Sequence, residues 1–498
     1  MRSPEPDSVP RALSGWIQLS VSRLASRNWA YDGRFFTGVR TTGGYGALAF
    51  DTSAATVAYQ RVGLHCIAMQ TWRAGSRKTD IFYGWRVVAA VFVLATLGWG
   101  VGFYGPPIYL HTVQETRGWS LNVVSMAVTA HYLFGAMVVA NLPKLYRQLG
   151  VSRVTKAGSI ALAVGVAGWA LAKEPWQLFA ATLVSGVGWA TMGAAAVNAI
   201  IAPWFERTRP AALSSAYNGA SIAGVIFSPL WVATIGLFGF PWATVAIGLA
   251  MIVIIWILAD VYYAKVPEQI GLIPDGVAPI SHPAPPIERS CPSNQLWRDR
   301  RFITLAAGMS LSLFAQIGLL AHLFSLLVPA LGEQLAGFAA GLATAAAIAG
   351  RTLVGWLMPA GADRRLFSGG NCILQIMGSL AFLFATGGNV PLLFLGILLF
   401  GAGIGNNTSL PPLIAQAEFN KEDVSRVVPL IVAISQGTYA FAPAAFGFIR
   451  ALGSQWSSIS EGAAPWVFIC AAFIQAGGAA AFLIGRRRKS GCEAMIKG

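Results

Sequence analysis

Twelve apolar blocks, each of about 20 residues, follow one another between residues 84 and 485. A block of this length crosses the hydrocarbon core of a bilayer as an α-helix, because a helix rises about 1.5 Å per residue. Only 11% of the 498 residues are charged, whereas soluble globular domains carry roughly 25%. The sequence therefore predicts an all-α integral membrane protein with twelve transmembrane helices.

The predicted spans form two sets of six, separated by a long loop rich in proline and charge. We assign 81–262 to an N-terminal six-helix bundle, 263–302 to a cytosolic linker loop and 303–485 to a C-terminal bundle. The predicted spans are 84–110, 121–143, 154–172, 177–203, 210–236 and 240–262, then 303–330, 334–358, 366–386, 391–416, 427–450 and 463–485.

The two ends of the chain lack such apolar blocks. Residues 1–80 are interpreted as a disordered extension, or as upstream sequence added by a wrong start codon, in which case Met69 begins a shorter basic N-terminus. The Ser- and Arg-rich start of this segment also weakly resembles a transit peptide. Residues 486–498 are predicted to form a basic cytosolic tail.

Lysine and arginine concentrate in the connections on one side of the predicted helices. By the positive-inside rule this side is cytosolic, so both termini are predicted to lie in the cytosol and the protein in the cytoplasmic membrane. An even number of spans requires the same placement of the termini. The basic residues that define this side include Arg73, Arg77, Lys78, Arg86, Lys144, Arg147, Arg153, Lys156, Arg207, Arg209, Arg364, Arg365, Lys421 and Arg426.

The net charge of +15 and the five cysteines do not indicate other classes of protein. The positive charge is spread over loops, as membrane topology requires, and does not form a nucleic-acid-binding face. The cysteines are scattered without the spacing of metal ligands or of a disulfide framework. We therefore predict no metal, no cofactor and no nucleic-acid partner.

A nearly constant offset relates the two halves of the chain. It indicates a duplicated six-helix unit, and hence two pseudo-symmetric bundles, an architecture common among secondary transporters. The pairs are Trp85 with Trp297 and Arg153 with Arg365, both 212 positions apart, and Phe205 with Phe419 and Pro229 with Pro443, both 214 positions apart.

Three stretches carry a resemblance to a known family: WFERTRPAALSSAYNGASIAGVIFSPL at 204–230, YGWRVVAAVF at the first span and PEQIGLIPDG after the sixth. They resemble the monocarboxylate and oxalate/formate antiporter branches of the major facilitator superfamily, over about residues 81–485. The resemblance implies the major facilitator fold, with spans 1, 2, 4, 5, 7, 8, 10 and 11 around a central cavity. The family's usual acid at the cytosolic gate is missing, with Arg147 and Pro359 near its two positions.

Arg351 is the leading candidate for a substrate-binding residue, because it lies deep in span 8. A guanidinium binds a carboxylate through two parallel hydrogen bonds, which a lysine cannot do. In the monocarboxylate branch, an arginine followed four residues later by a glycine in this span is implicated in substrate contact, and Arg351 with Gly355 fits this pattern. The branch's aspartate is replaced by Ala347. Alternatively, Arg351 extends to the cytosolic surface or holds a gate.

Two histidines are candidates for proton coupling, since no Asp or Glu lies at the centre of a span. His131 is near the middle of span 2 and His322 is in the outer part of span 7. A histidine can take up a proton near neutral pH. Alternatively, both are neutral packing residues, or the proton travels on the substrate.

Two adjacent amides, Asn406 and Asn407, stand in the middle of span 10, and their first-half counterparts near 191–193 carry no amide. Adjacent helical positions point about 100° apart. We therefore expect one amide to face the cavity and the other to join span 10 to a neighbour near the Pro411-Pro412 break. Further candidates for the cavity wall, each of which could instead join helices, are Tyr104, Asn218, Gln316, Gln436 and Tyr439.

These features predict a monomeric secondary active transporter that moves a small organic anion of the monocarboxylate type by alternating access, with protons or a counter-substrate as candidate coupling partners. An exporter of neutral or hydrophobic compounds is the alternative. An intramembrane enzyme or a receptor is disfavoured, because we find no paired acids, nucleophile or metal ligands in the spans and no signalling domain.

Overall fold

The computed structural model describes residues 82–276, 296–359, 362–385, 389–456 and 465–486. The described residues are almost entirely helical and contain no β-strand. The predicted extension at 1–80, residues 277–295 of the predicted linker and almost all of the basic tail lie outside the described residues.

The described part of the first half contains eight α-helices that make six membrane crossings. Spans 1 and 4 each consist of two helices, α1–α2 and α5–α6, whereas spans 2, 3, 5 and 6 are single helices. The bounds are α1 Tyr83–Gly102, α2 Gly105–Arg117, α3 Leu121–Leu149, α4 Val151–Leu171, α5 Pro175–Met192, α6 Ala194–Ile201, α7 Arg209–Phe238 and α8 Phe240–Leu258.

The second half makes six more crossings. The first helix contributes spans 7 and 8, and span 11 again consists of two helices, α12–α13. The bounds are α9 Arg300–Leu357, α10 Arg364–Phe384, α11 Val390–Glu418, α12 Lys421–Tyr439, α13 Ala442–Trp456 and α14 Pro465–Ile484.

Helix α9 is a hairpin of two spans rather than one rod. A straight helix of 58 residues would extend about 87 Å, almost three times the hydrocarbon thickness of a bilayer. At Gly332 the backbone leaves the helical region, with φ 72° and ψ 164°, a conformation that a residue without Cβ adopts easily. The described chain therefore crosses the membrane twelve times, and the predicted turn between 330 and 334 is confirmed.

Proline explains the interruption of span 1. Pro106 and Pro107 lack the N–H groups that would bind the carbonyls of Gly102 and Phe103, four residues earlier in each case. The chain accordingly leaves the helix between α1 and α2, and the break places Tyr104 in the interior of the bundle. Such breaks are tolerated within a membrane only where side chains satisfy the freed backbone groups.

Among the described residues, the two halves meet through four helix pairs: α7 with the second span of α9, α3 with α13, α2 with the first span of α9, and α3 with α12. Small residues permit the close approach. A Cβ on Gly224 of α7 would collide with Thr344, and one on Gly447 of α13 would collide with Ser125 of α3. Span 1 begins and span 12 ends on the same side of the molecule, which we call the basic side. We call the opposite side the far side. The contacts between the halves lie away from the basic side.

The halves separate toward the basic side. Gly355, one helical turn beyond Arg351 on the same face of span 8, has no atom within 4 Å of a built Cβ, and the same holds for Gly437 of α12. Further along these spans toward the far side, Gly341 and Gly447 are tightly packed. The halves are therefore packed together toward the far side, and they lack this close packing at Gly355 and Gly437.

The first part of the predicted linker is folded onto the basic side. The Asp275 carboxylate accepts hydrogen bonds from the backbone N–H groups of Glu206 and Arg207, at 2.9 and 2.7 Å, and from the Thr208 hydroxyl at 2.6 Å. Although partial burial opposes the charged form, these bonds lower the pKa of Asp275 from 3.8 to about 2. The segment that ends in PDG thus ties the end of span 6 to the start of α7.

Candidate functional site

Arg351 lies between the two halves. Its Nε donates to the Gly405 carbonyl of α11 at 3.3 Å, and a terminal nitrogen donates to the Ser221 hydroxyl of α7 at 3.4 Å. Tyr104, from the break in span 1, lies near Thr344, two turns earlier in span 8, and close enough to Arg351 to interact electrostatically. The guanidinium therefore touches both bundles at once.

The charge of Arg351 has no counter-charge near it. Its side chain is half-buried, and among the described residues no carboxylate lies within ion-pair distance of it. Its two hydrogen bonds go to neutral acceptors and are long, whereas a guanidinium paired with a carboxylate bonds at about 2.7–2.9 Å. A cation left in this condition within a membrane marks a candidate functional site.

Aromatic rings surround the space beside Arg351. The ring of Phe103 lies 5.1 Å from Tyr104, 6.1 Å from Tyr132 and 5.9 Å from Trp189, measured between centroids. Tyr132 of α3 faces Tyr439 of α12 at 6.4 Å, across the boundary between the halves. The predicted residue Tyr104 therefore lies near Arg351, and ring contacts through Phe103 and Tyr132 connect it to the predicted residue Tyr439.

The wall contributed by spans 4 and 5 is more polar. Asn198 donates to the hydroxyl of Tyr217 at 2.7 Å, and both belong to the open side of the first bundle. Asn218, the next residue of α7, is exposed, and Gln436 of α12 is half-buried. These side chains remain free to contact a solute, whereas Asn198 and Tyr217 are additions that the sequence did not single out.

The adjacent amides of span 10 enter a buried polar network. Asn371 of α10 donates to the Asn407 carbonyl oxygen at 2.8 Å and accepts from the Asn406 amide at 3.1 Å. Asn407 also donates to Gln316 at 2.8 Å and to Gln375 at 2.9 Å. Only 1% of Asn406 and 5% of Asn407 is exposed. The expected division of tasks is not present in this structure, because both amides join span 10 to its neighbours and neither faces the cavity.

The network extends through four spans of the second half. Gln375 donates to Gln316 of span 7 at 3.0 Å, and Gln475 of α14 donates to Gln375 at 2.5 Å. Gln316 is 2% exposed, so this predicted cavity residue also serves helix packing in this conformation. The Gly405 carbonyl, which accepts a hydrogen bond from Arg351, belongs to the same helix as Asn406 and Asn407. The network therefore fixes the helix that carries this acceptor.

His131 supplies a hydrogen bond to a backbone carbonyl that the break in span 1 leaves free. Its Nε2 lies 3.0 Å from the Gly102 carbonyl, which Pro106 leaves without a helical donor, and its Nδ1 lies 2.8 Å from the Ser185 hydroxyl. A carbonyl only accepts, so Nε2 carries the proton and Nδ1 accepts from Ser185 in the neutral ring. Tyr132 donates to the next freed carbonyl, that of Phe103, at 3.3 Å. His131 is buried within the first bundle.

His322 lies at the break of span 11, in the second half. Its Nε2 donates to the Pro443 carbonyl of α13 at 3.0 Å, whereas its Nδ1 is buried without a hydrogen-bond partner among the described residues. Nearby, the Ser325 hydroxyl accepts from Arg450 at 2.6 Å. His322 therefore lies at the closed far side, away from Arg351.

On the basic side, a buried ion pair stands within the second bundle. The Arg365 guanidinium donates to both oxygens of Glu418, at 2.6 and 2.9 Å, and also to the Arg301 carbonyl at 2.8 Å. Asp363 caps α10 and pairs with Arg486 at 2.6 Å. Both pairs lie within one bundle. Neither therefore replaces the contact at the cytosolic gate, for which the family's usual acid is missing from the loop sequences.

Sequence reasoning missed Asn371, Gln375 and Gln475 because it weighed polar residues only in the spans expected to line a cavity. The spacing of Asn371 and Gln375 was a usable signal, since residues four apart share one helical face. Two amides on one face of an apolar helix require partners on the helix packed against that face.

Two bundles of six spans, with broken helices and a half-buried arginine between them, define a secondary transporter fold. The sequence profile of the Major Facilitator Superfamily matches residues 88–443, which is well over half of the chain. The chain belongs to this family and is a membrane transporter of its type.

The relatives agree with this assignment. MFS-type transporter 1 of Ophiocordyceps sp. (strain BCC 1869) is 26% identical over 350 residues, which cover 68% of this chain and 73% of that protein. MFS transporter asaE of Aspergillus flavus is 24% identical over 384 residues, which cover 75% and 81%. Neither name specifies a substrate.

Solved structures share the fold. A bacterial homologue of the human lysosomal transporter Spinster, inward-facing and unoccupied, superposes with a TM-score of 0.60 and 14% identity, covering 83% of this chain and 100% of that one. The nucleoside transporter NupG gives a TM-score of 0.58 and 14% identity, covering 81% and 100%. At this identity the similarity concerns the fold alone.

Proposed function

We propose that this transporter moves a small organic anion of the monocarboxylate type across the cytoplasmic membrane, as a monomer and by alternating access. The observation that carries the proposal is Arg351, whose guanidinium is half-buried between the halves without a carboxylate partner among the described residues. A substrate carboxylate would supply the missing charge and two short hydrogen bonds. The resemblance to the monocarboxylate and oxalate/formate branches supports the same substrate class.

The substrate would reach Arg351 from the basic side, where the halves are separated. We take this side as cytosolic from the positive-inside rule, which makes the described conformation inward-open with both termini in the cytosol. Tyr104, Tyr439, Gln436 and Asn218 would contact the organic part of the substrate. Alternating access then requires the contacts of Gly447 and Gly224 on the far side to open.

The candidates for coupling transport to protons are His131 and His322. His131 is engaged at both ring nitrogens inside one bundle, whereas the Nδ1 of His322 has no partner within the described part of the chain and lies on the far side, where the halves meet. Of the two candidates, His322 is better placed to gain or lose a proton when the far side opens. A substrate that carries the proton itself would need neither.

The direct test is uptake by the full chain in proteoliposomes, from a mixed panel of acetate-, lactate- and oxalate-like anions with and without a pH gradient. We expect Arg351→Ala and Arg351→Lys each to reduce uptake by at least tenfold, because lysine cannot form the bidentate contact. Arg207→Lys, in an exposed loop, serves as the matched control. Wild-type uptake by both Arg351 variants would remove this residue from the binding site.

The aromatic lining favours a second candidate, export of neutral or hydrophobic compounds. Phe103, Tyr132 and Trp189 offer apolar faces to any flat solute. Transport of such compounds that small carboxylates fail to inhibit would support this function over the first.

A further inference from the structure

A cluster of three metal-ligating side chains joins the two halves on the far side. His111 and Glu115 lie four residues apart on one face of α2, and Glu333 follows the Gly332 turn between spans 7 and 8. One ligand atom from each, the imidazole nitrogen and two carboxylate oxygens, all lie within 4.8 Å of one another. The first two residues belong to the first half and the third belongs to the second half.

His111 differs from the other two histidines of the spans. It is only 8% exposed, and its Nε2 has no hydrogen-bond partner in the described structure, although Glu115 lies 3.3 Å away. The ring packs edge-on against Phe324 of span 7, at 5.2 Å between centroids. The second half thus holds the imidazole of the first half in place, with its unpartnered nitrogen directed at the two carboxylates.

We propose that His111, Glu115 and Glu333 form a binding site for a divalent transition-metal ion, of which Zn²⁺ is the best match. An imidazole with two carboxylates suits Zn²⁺, whereas Mg²⁺ and Ca²⁺ prefer all-oxygen sites. Three protein ligands leave a fourth tetrahedral position for water. The ligand atoms must approach to about 3.4 Å of one another around Zn²⁺, which the exposed side chains of Glu115 and Glu333 can accomplish by rotation.

The site is complete only while the far side is closed, because its ligands come from both halves. A ligand that binds one conformation alone shifts the population toward it. Bound metal therefore favours the conformation described here, with the basic side open. The charged groups that face His111 are Glu115, Glu333 and Arg450; Arg450 opposes the cation, and its guanidinium bonds to Ser325.

The test is calorimetric titration of the purified full chain with Zn²⁺ and, separately, with Mg²⁺. We expect one Zn²⁺ per chain, at least tenfold weaker binding in His111→Ala and Glu333→Gln, and no comparable Mg²⁺ binding. Glu333→Gln changes an exposed side chain and leaves the packing of the bundles intact. Glu206→Gln, an exposed glutamate on the basic side, is the matched control and should bind as the wild type does.

A second variant tests whether the site depends on closure. Gly447→Leu introduces a side chain that collides with Ser125 when the far side closes, without touching a ligand. We expect it to weaken Zn²⁺ binding at least tenfold. Zn²⁺ binding that is unchanged in His111→Ala and Glu333→Gln would overturn the site, and unchanged binding in Gly447→Leu would overturn its dependence on closure.

Discussion

Replacing Asn407 by leucine removes three hydrogen bonds from the buried amide network. Its amide loses Gln316 and Gln375, and its carbonyl oxygen loses Asn371. Interhelical hydrogen bonds in membranes contribute about 0.6 kcal/mol each on average, so the variant should be destabilised by about 2 kcal/mol. A larger effect is not expected, because Gln316 keeps the bond from Gln375 and Asn371 keeps the bond to the Gly403 carbonyl.

The neighbouring substitution provides the matched comparison. Asn406→Leu removes two longer bonds, to Asn371 at 3.1 Å and to the Ala402 carbonyl at 3.3 Å, and should lose about 1 kcal/mol on the same scale. Reversible unfolding by SDS in mixed micelles measures both free energies. The coupling energy between Asn407 and Gln375 can be isolated with Asn407→Leu, Gln375→Leu and the double variant. Equal stability of the two leucine variants, or a larger loss at Asn406, would contradict the network.

Three further predictions concern the basic side and the boundary between the halves. Glu418→Gln leaves the buried Arg365 guanidinium without its charge partner and should destabilise the second bundle by about 3 kcal/mol, measured by the same SDS unfolding; wild-type stability would show that the pair contributes little. Asp275→Asn should weaken the attachment of the PDG segment to the start of α7 by about 1 kcal/mol after allowing for solvent screening, and faster amide exchange at 206–208 should show this. In the wild type, the lowered pKa of Asp275 keeps the protection of these amides against exchange complete above about pH 4. The protection should fall as the pH approaches 2. Gly224→Leu should prevent α7 from closing on Thr344 and so raise the reactivity of a cysteine placed at Ser221 toward reagents added from the far side; unchanged reactivity would contradict the closed packing.

The spans were predictable because the bilayer fixes their length and composition. Even the turn between spans 7 and 8 could be placed, since an apolar run of this length must fold back. The breaks within spans were harder to predict. Pro106 and Pro107 indicate the break in span 1, but no proline indicates the break at Gly193, between α5 and α6. The sequence named Tyr104 and Arg351 as separate candidates, and it could not show that they are close, because their proximity depends on how a broken span 1 meets span 8.

The site residues were harder to predict than the spans, because a polar residue in a span has two possible reasons to exist. Asn407, Gln316 and Arg351 look alike in sequence, as polar side chains inside apolar helices. Only the list of partners separates them: both amides find theirs on adjacent helices, and the arginine does not find an acid within the described chain. Periodicity can place a side chain on a helical face, but it does not show what lies across from that face.

The hydrogen-bond and ion-pair partners of each buried polar group help to distinguish packing residues from candidate binding residues in the described structure. Within a membrane an unsatisfied polar group is strongly destabilising, so most buried groups are paired and their role is accounted for by packing. His131 illustrates this, since both ring nitrogens are engaged at the break of span 1. Arg351 lacks a counter-charge, and the Nε2 of His111 lacks a hydrogen bond. Both lie where the two halves meet, which is where a transporter must bind its solute and change its conformation. In the two proposals made above, the missing partners are ligands that bind and leave: an anion at Arg351 and a metal ion at His111.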